Sequence, residues 1–290
     1  MSARYDCADT QQREDGLVAA VSAVQEGQLV VLPTDTVYGV GADAFNPAAV
    51  AALLAAKGRG RNMPPPVLVG SVRAAAALTE SLGAFGQDLI DEFWPGPLTL
   101  VFRASSTLLW DLGDTVGTVA VRMPLHPVAL DLLRRTGPMA VSSANRHSLP
   151  AATTADEAQT QLGDAIAVYL DGGPCADNVP STILDLTGTV PRMLRAGALS
   201  VDALRKVVPV IDLPEAQGGD ADVSPADRRA AEAIAAAEEA RAANAAEAAN
   251  AAEAANAAGP ANAAGEASAA GQAEPHPQAD DLRPDQLPGD

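Results

Sequence analysis

Residues 16–207 switch repeatedly between short apolar runs and helical periodicity. The stretch opening GLVAAV (16–21) predicts a helix that ends near Gly27, and the run LVVL (29–32) predicts a buried strand. Pro47 then opens a second helix, PAAVAALLAAK, with Asn46 placed as its N-cap. Residues 67–69 (VLV), 98–102 (LTLVF) and 119–123 (VAVRM) read as strands, and Pro127 opens another helix over VALDLLRR. A strand from 139 ends in SSAN (142–145), and the polar stretch after it delays the next helix to around Thr154. Strands at 166–170, 182–186 and 192–194 follow, the last two close enough for a hairpin, with a closing helix at 201–207. The predicted class is therefore α/β, a mixed parallel and antiparallel sheet flanked by helices, and about 200 residues are ample for one core.

From about Gly218 this patterning stops. Residues 230–273 are mostly alanine, and NAAEAA repeats from Asn244 to Asn256. Alanine favours helix but offers little apolar area to bury, and no seam of larger residues supports a coiled coil. The expectation is one domain over 1–211 and a solvated, acidic, low-complexity tail over 212–290, with a partner-docking helix as the alternative.

Charge sharpens that division. The 290 residues carry a formal −18, and residues 212–290 hold 16 acidic and 4 basic residues, net −12. That leaves 21 acidic and 15 basic residues in 1–211, net −6. Such a balance disfavours nonspecific nucleic-acid binding but allows a local basic pocket. No apolar run is long enough for a membrane span and the start is too polar for a signal peptide, so a cytoplasmic protein is expected. Two cysteines (Cys7, Cys175) and three histidines (His126, His147, His276) have neither zinc nor disulfide spacing.

The chemistry-bearing candidates cluster at strand and helix ends. No P-loop is present, and Gly39 and Gly41 lack the third glycine of a dinucleotide fingerprint, which leaves them as turn or close-packing glycines. Pro33-Thr34-Asp35-Thr36 follows a buried strand, where an α/β sheet opens its crevice, and it fits a structural turn equally well. Only two lysines occur, Lys57 and Lys206, and Lys57 stands two residues before Arg59 in KGRGR. An ammionium beside a planar guanidinium suits phosphate and carboxylate, although charge compensation at a helix C-terminus would also explain Lys57. Ser142, Ser143 and Asn145 can orient an anion or a sugar. Arg122, inside apolar VAVRM, needs either a carboxylate partner or an anionic substrate, and the substrate is the favoured reading. Arg195 ends LRAG in the same style, His126 reads as a helix-start residue, Trp94 and Trp110 as packing, and Asp171-Gly172-Gly173 as a turn with metal binding as the alternative.

Together these stretches resemble one family, the YrdC-like threonylcarbamoyl-AMP synthases, from about Gly16 to Val207. The resemblance rests on PTDTVYGVG (33–41), Lys57-x-Arg59, FWPGPLTLV (93–101), VAVRMPLHP (119–127), Ser143-x-Asn145, DGG (171–173), STI (181–183) and LRAG (194–197). It implies a twisted mixed sheet around a positively charged cavity, and synthesis of threonylcarbamoyl-AMP from L-threonine, bicarbonate or CO2 and ATP, with pyrophosphate released. Mg²⁺ would accompany ATP, and downstream tRNA threonylcarbamoyl-transferase proteins would take the product, with at most a weak tRNA contact. It further implies that Lys57 and Arg59 act at the threonine carboxylate, the carbamate and the α-phosphate. Thr36, Arg122, Ser142 and Ser181 would hold threonine, and Thr118, Ser143, Asn145 and Arg195 would contact the nucleotide. Three departures stand out. Gly70 falls where the family places a threonine-contacting histidine, at the end of a segment (63–70) that is two residues longer and whose prolines would stiffen a lid. Val179-Pro180-Ser181-Thr182 lacks a family carboxylate, and the tail has no strands with which to form the Rossmann-like domain of longer members, which makes this the family's short form. An RNA-binding module without synthase activity is the alternative, as is a related chemistry on carbamoyl phosphate.

Overall fold

The structure, a computed structural model, describes residues 2–175 and 178–211. The tail expected over 212–290 lies outside the described residues. Among the described residues ten strands form one sheet: β1 (Ala3–Asp6), β2 (Val30–Leu32), β3 (Gly39–Asp43), β4 (Val67–Leu68), β5 (Leu98–Arg103), β6 (Thr118–Arg122), β7 (Met139–Ser143), β8 (Val168–Asp171), β9 (Thr182–Asp185) and β10 (Arg192–Arg195). Their order is β1-β8-β2-β3-β7-β4-β6-β5-β9-β10. The β1–β8, β8–β2, β4–β6 and β5–β9 pairs are parallel and the others antiparallel, so the sheet is mixed as expected. The expected hairpin at the end is β9–β10, with a register shift between Met193 and Arg195.

The helices are α1 (Thr10–Gln25), α2 (Pro47–Lys57), α3 (Val72–Leu78), α4 (Gly83–Phe93), α5 (Pro127–Thr136), α6 (Ala155–Leu162) and α7 (Val201–Arg205). Local chemistry sets several starts. The Asn46 side chain accepts from Ala48 N and Ala49 N, both at 3.1 Å, and Pro47 takes the first helical position. Gly58, at φ 67°, ends α2 in the left-handed conformation that glycine adopts without strain. Thr154 caps α6 through Glu157 N at 3.2 Å, where the polar stretch after SSAN predicts a start.

The sheet separates two apolar layers. Val30 and Leu32 of β2 face α1 and α5, together with Met139 and Val141 of β7, whereas Val31 packs into the larger cluster with α2 and α4. Gly39 and Gly41 are strand residues, not turn residues. A Cβ on Gly39 would stand 2.7 Å from Val141 Cγ1, and one on Gly41 2.9 Å from Met139 Cε, so both are close-packing positions.

Candidate functional site

Residues 33–38 connect β2 to β3 and are fixed from within. Thr34 Oγ1 donates to Val37 O at 2.6 Å and accepts from Thr36 N at 3.2 Å, a hydroxyl-closed turn. Tyr38 N donates to Ala152 O (2.9 Å), and Tyr38 O accepts from Ala144 N (2.7 Å). The buried Tyr38 hydroxyl donates to Gly173 O at 2.6 Å and accepts from Gly172 N at 3.0 Å, and burial pushes its pKa above the ordinary phenol value. The segment is a turn closed by Thr34, with Thr36 Oγ1 3.1 Å from Thr34 Oγ1, and Asp35 and Thr36 also reach beyond it.

Both reach Arg122 at the end of β6. The guanidinium is buried, with Arg122 6% exposed. Nη2 donates to Asp35 Oδ1 (2.6 Å), Nη1 to Thr36 Oγ1 (3.0 Å) and Nε to Gly96 O (3.0 Å). The sequence left either a carboxylate or an anionic substrate as this cation's partner; the structure supplies a carboxylate, Asp35, as a guanidinium at that depth needs a permanent counter-charge. Burial lowers the Arg122 pKa and the Asp35 carboxylate opposes the shift. Asp35 Oδ1 also accepts from Leu125 N at 2.9 Å, while Oδ2 is buried without a hydrogen-bond partner.

A second buried cation lies at the loop after β7. Lys57, 1% exposed at the C-terminus of α2, extends Nζ to Ser143 O, Asn145 O (2.8 Å) and Asn145 Oδ1 (3.1 Å). Charge compensation of its own helix is therefore not its main contact; it ties α2 to the SSAN loop after β7. His147 N returns a bond to Lys57 O at 2.7 Å. Ser143 Oγ donates to Asn145 Oδ1 (2.5 Å), and Asn145 Nδ2 donates to Leu149 O (2.7 Å) and Arg146 O (3.0 Å), which fixes the amide's orientation. Arg59 Nη1 donates to Ser142 Oγ at 3.2 Å. Ala144, between Ser143 and Asn145, is the residue bonded to Tyr38 O, so the loop that holds Lys57 is joined through its backbone to the segment that holds Arg122.

A third group joins through the turn at Gly96-Pro97. Gly96 O receives Arg122 Nε, and Pro97 O receives Thr182 N at 3.0 Å. Ser181, next in line, has its hydroxyl 2.8 Å from Thr99 Oγ1, and Arg195 donates to Ser181 O (Nε 3.0 Å, Nη2 2.8 Å) and to Ser181 Oγ (3.0 Å). Thr118 stands apart. It begins β6, roughly 13 Å along the strand from Arg122, and its hydroxyl donates to Thr115 O at 2.8 Å.

Other residues singled out in the sequence have structural partners. Asp171 is paired with Arg4 Nη2 at 2.6 Å; burial works to raise its pKa, but the bonds from Arg4 and Gly173 N outweigh this and lower it. Trp94 Nε1 donates to Leu98 O (2.7 Å), and Trp110 stacks on Phe45 with ring centroids 5.6 Å apart. His126 occupies the N-cap position of α5 without capping it. Burial pushes the Cys7 thiol up to about 11 and raises that of Cys175, so neither is poised as a thiolate. Gly70 is closed to any side chain: a Cβ there would meet Arg134 N at 2.9 Å and Leu133 C at 3.0 Å in the backbone of α5. Sequence reasoning left Asp35 out of the site. The signal was a carboxylate in the PTDT stretch and a lone arginine in an apolar strand, each explained separately.

This architecture defines an α/β protein with two buried cations at strand ends, Arg122 bonded to the segment between β2 and β3 and Lys57 to the loop after β7. Residues 22–197 match the family model Sua5/YciO/YrdC, described as "Telomere recombination". A Mycobacterium tuberculosis protein, provisionally named a threonylcarbamoyl-AMP synthase, is 56% identical over 210 residues, covering 72% of this chain and 97% of that protein. The threonylcarbamoyl-AMP synthase of Pyrococcus abyssi is 36% identical over 209 residues, covering 71% of this chain and 62% of the longer relative. A solved structure of P. abyssi Sua5 complexed with L-threonine superposes with TM-score 0.67 at 32% identity, covering 73% of this chain and 62% of that one. The chain belongs to the Sua5/YciO/YrdC family.

Proposed function

We propose that this chain is a nucleotidyltransferase that makes L-threonylcarbamoyl-AMP from L-threonine, bicarbonate or CO2, and ATP. The observation that supports the reading is the pair of buried cations, Arg122 bonded to Asp35 and Thr36, and Lys57 bonded to the 143–145 loop, whose Ala144 N donates to Tyr38 O at the end of the same 33–38 segment. Such a pair can hold two anions side by side.

In the first step the threonine amine adds to CO2; the N–C bond forms and the amine proton passes to solvent. In the second, a carbamate oxygen attacks the α-phosphorus of ATP, and the new P–O bond forms as the bond to the β-phosphate bridging oxygen breaks. Pyrophosphate leaves. No protein nucleophile is needed, so catalysis consists of alignment and of neutralising developing charge. Arg122 and Thr36 hold the amino acid, with Ser181 beside them and Ser142 placed by Arg59. Lys57 and Arg59 serve the carbamate and the α-phosphate. Ser143, Asn145 and Arg195 contact the nucleotide, and Thr118 does so only if ATP reaches the far end of β6. Mg²⁺ would enter with ATP as MgATP. The product is a reactive mixed anhydride suited to a downstream tRNA threonylcarbamoyl-transferase. No helix among the described residues is long and apolar enough to cross a membrane; action in the cytoplasm is part of the proposal.

The test is pyrophosphate release by the full chain with MgATP and bicarbonate, with and without L-threonine. Release that requires threonine is expected. Folded protein that releases none, or that responds to carbamoyl phosphate instead, would overturn the reading.

A further inference from the structure

A guanidinium carries five N–H donors in a rigid plane. In Arg122 one goes to Gly96 O, one to Thr36 Oγ1 and one to Asp35 Oδ1. After these bonds, Nη1 and Nη2 each keep one further N–H. The plane of the group is therefore set by three contacts while two donors, one on each Nη, remain for a ligand such as a carboxylate.

The three contacts are not equivalent. Gly96 and Thr36 offer neutral oxygens; Asp35 offers a charge. Its Oδ1 also takes Leu125 N at 2.9 Å, three residues beyond Arg122, so one oxygen holds both the guanidinium and the chain leaving β6. Oδ2 is buried and without a hydrogen-bond partner. A neutral acceptor would satisfy Arg122 Nη2 and Leu125 N without burying a second charged oxygen. The carboxylate accordingly serves as a charge, and it faces a cation that burial disfavours.

We propose that Asp35 is a positioning residue for amino-acid recognition: it holds the Arg122 guanidinium in the plane from which the remaining Nη1 and Nη2 hydrogens receive the carboxylate of the amino-acid substrate. This deepens the synthase reading and rests on it. Asp35 touches no substrate atom, so its influence passes through Arg122 and falls on the amino acid, not on ATP.

The test uses the full chain as wild type, D35N, D35A, R122K and the double variant D35N/R122K. D35N keeps an oxygen for both donors and removes the charge; D35A removes both. Steady-state pyrophosphate release is expected to show a threonine KM raised about tenfold in D35N and further in D35A, with the KM for ATP within about twofold of wild type. The double variant should be no worse than R122K alone, because lysine has no fork left to orient. A second readout is the Arg122 Nε–H signal in ¹⁵N–¹H spectra, expected to exchange slowly in wild type and rapidly in D35N. Equal rises in both KM values, additive losses in the double variant, or an unchanged Nε–H signal in D35N would overturn the proposal. If D35A does not fold, the isosteric D35N carries the test. If wild type releases no pyrophosphate with threonine, the synthase reading fails, and the Nε–H comparison still decides whether Asp35 orients Arg122.

Discussion

Arg122 and Lys57 are both buried cations at the rim of the same sheet, yet they are satisfied differently. Lys57 has three N–H donors, and three oxygens of the SSAN loop meet them. Arg122 has five donors, of which the described contacts use three, one of them to a carboxylate. The comparison teaches that an arginine can be locked in place and still present donors, whereas a lysine so placed must exchange a bond to reach a ligand. On this account Arg122 recognises a ground-state carboxylate, and Lys57 trades a loop carbonyl for charge that develops on the carbamate and α-phosphate.

The largest expected effect breaks the comparison on the Lys57 side. In K57A/R59A, turnover should fall by about 10²–10³-fold or more while threonine still binds, since interactions gained toward the transition state appear in kcat. Isothermal titration with L-threonine alongside steady-state kinetics checks this; threonine binding lost together with turnover would erase the distinction between the clusters. A smaller effect concerns packing beside Arg122, whose carbonyl accepts from Val69 N at 3.0 Å just before Gly70. G70A should destabilise the fold by about 1–3 kcal/mol through its clash with α5, read from denaturant unfolding, and an unchanged midpoint would show that α5 yields freely.

The smallest effect is a pH dependence next to Asp35. Burial lowers the His126 pKa below the ordinary 6.5, with Asp35 opposing and Arg13 assisting. Between the folded pKa and 6.5 the unfolded chain binds more protons, so His126 costs stability as pH falls through 6.5 and no more once the folded form also protonates. H126Q should therefore lose less stability than wild type between neutral and mildly acidic pH, measured as the difference in unfolding midpoints. Parallel curves for the two proteins would remove His126 from the acid response.

Much of this was legible in sequence where the signal is local. Asn46-Pro47 marked the start of α2, the delay to Thr154 marked α6, and the scarcity of lysine marked Lys57. Signals that depend on distant partners were harder to read. The four residues of β1 look like a polar leader because their pairing is with β8, far along the chain. Helix α4 contains Gly86, which weakens helical propensity but is required because a Cβ would stand 2.8 Å from the Phe102 ring. Asp35 and Arg122 are 87 positions apart, and nothing local to either names the other. An arginine in an apolar strand announces that a counter-charge exists without saying whether protein or substrate supplies it.

The most direct measurement is isotopic. The chain, incubated with L-threonine, MgATP and ¹³C-bicarbonate and quenched for mass spectrometry, should yield threonylcarbamoyl-AMP carrying the ¹³C label in its carbamoyl carbon. ATP consumption without a labelled, threonine-containing adenylate would contradict the account.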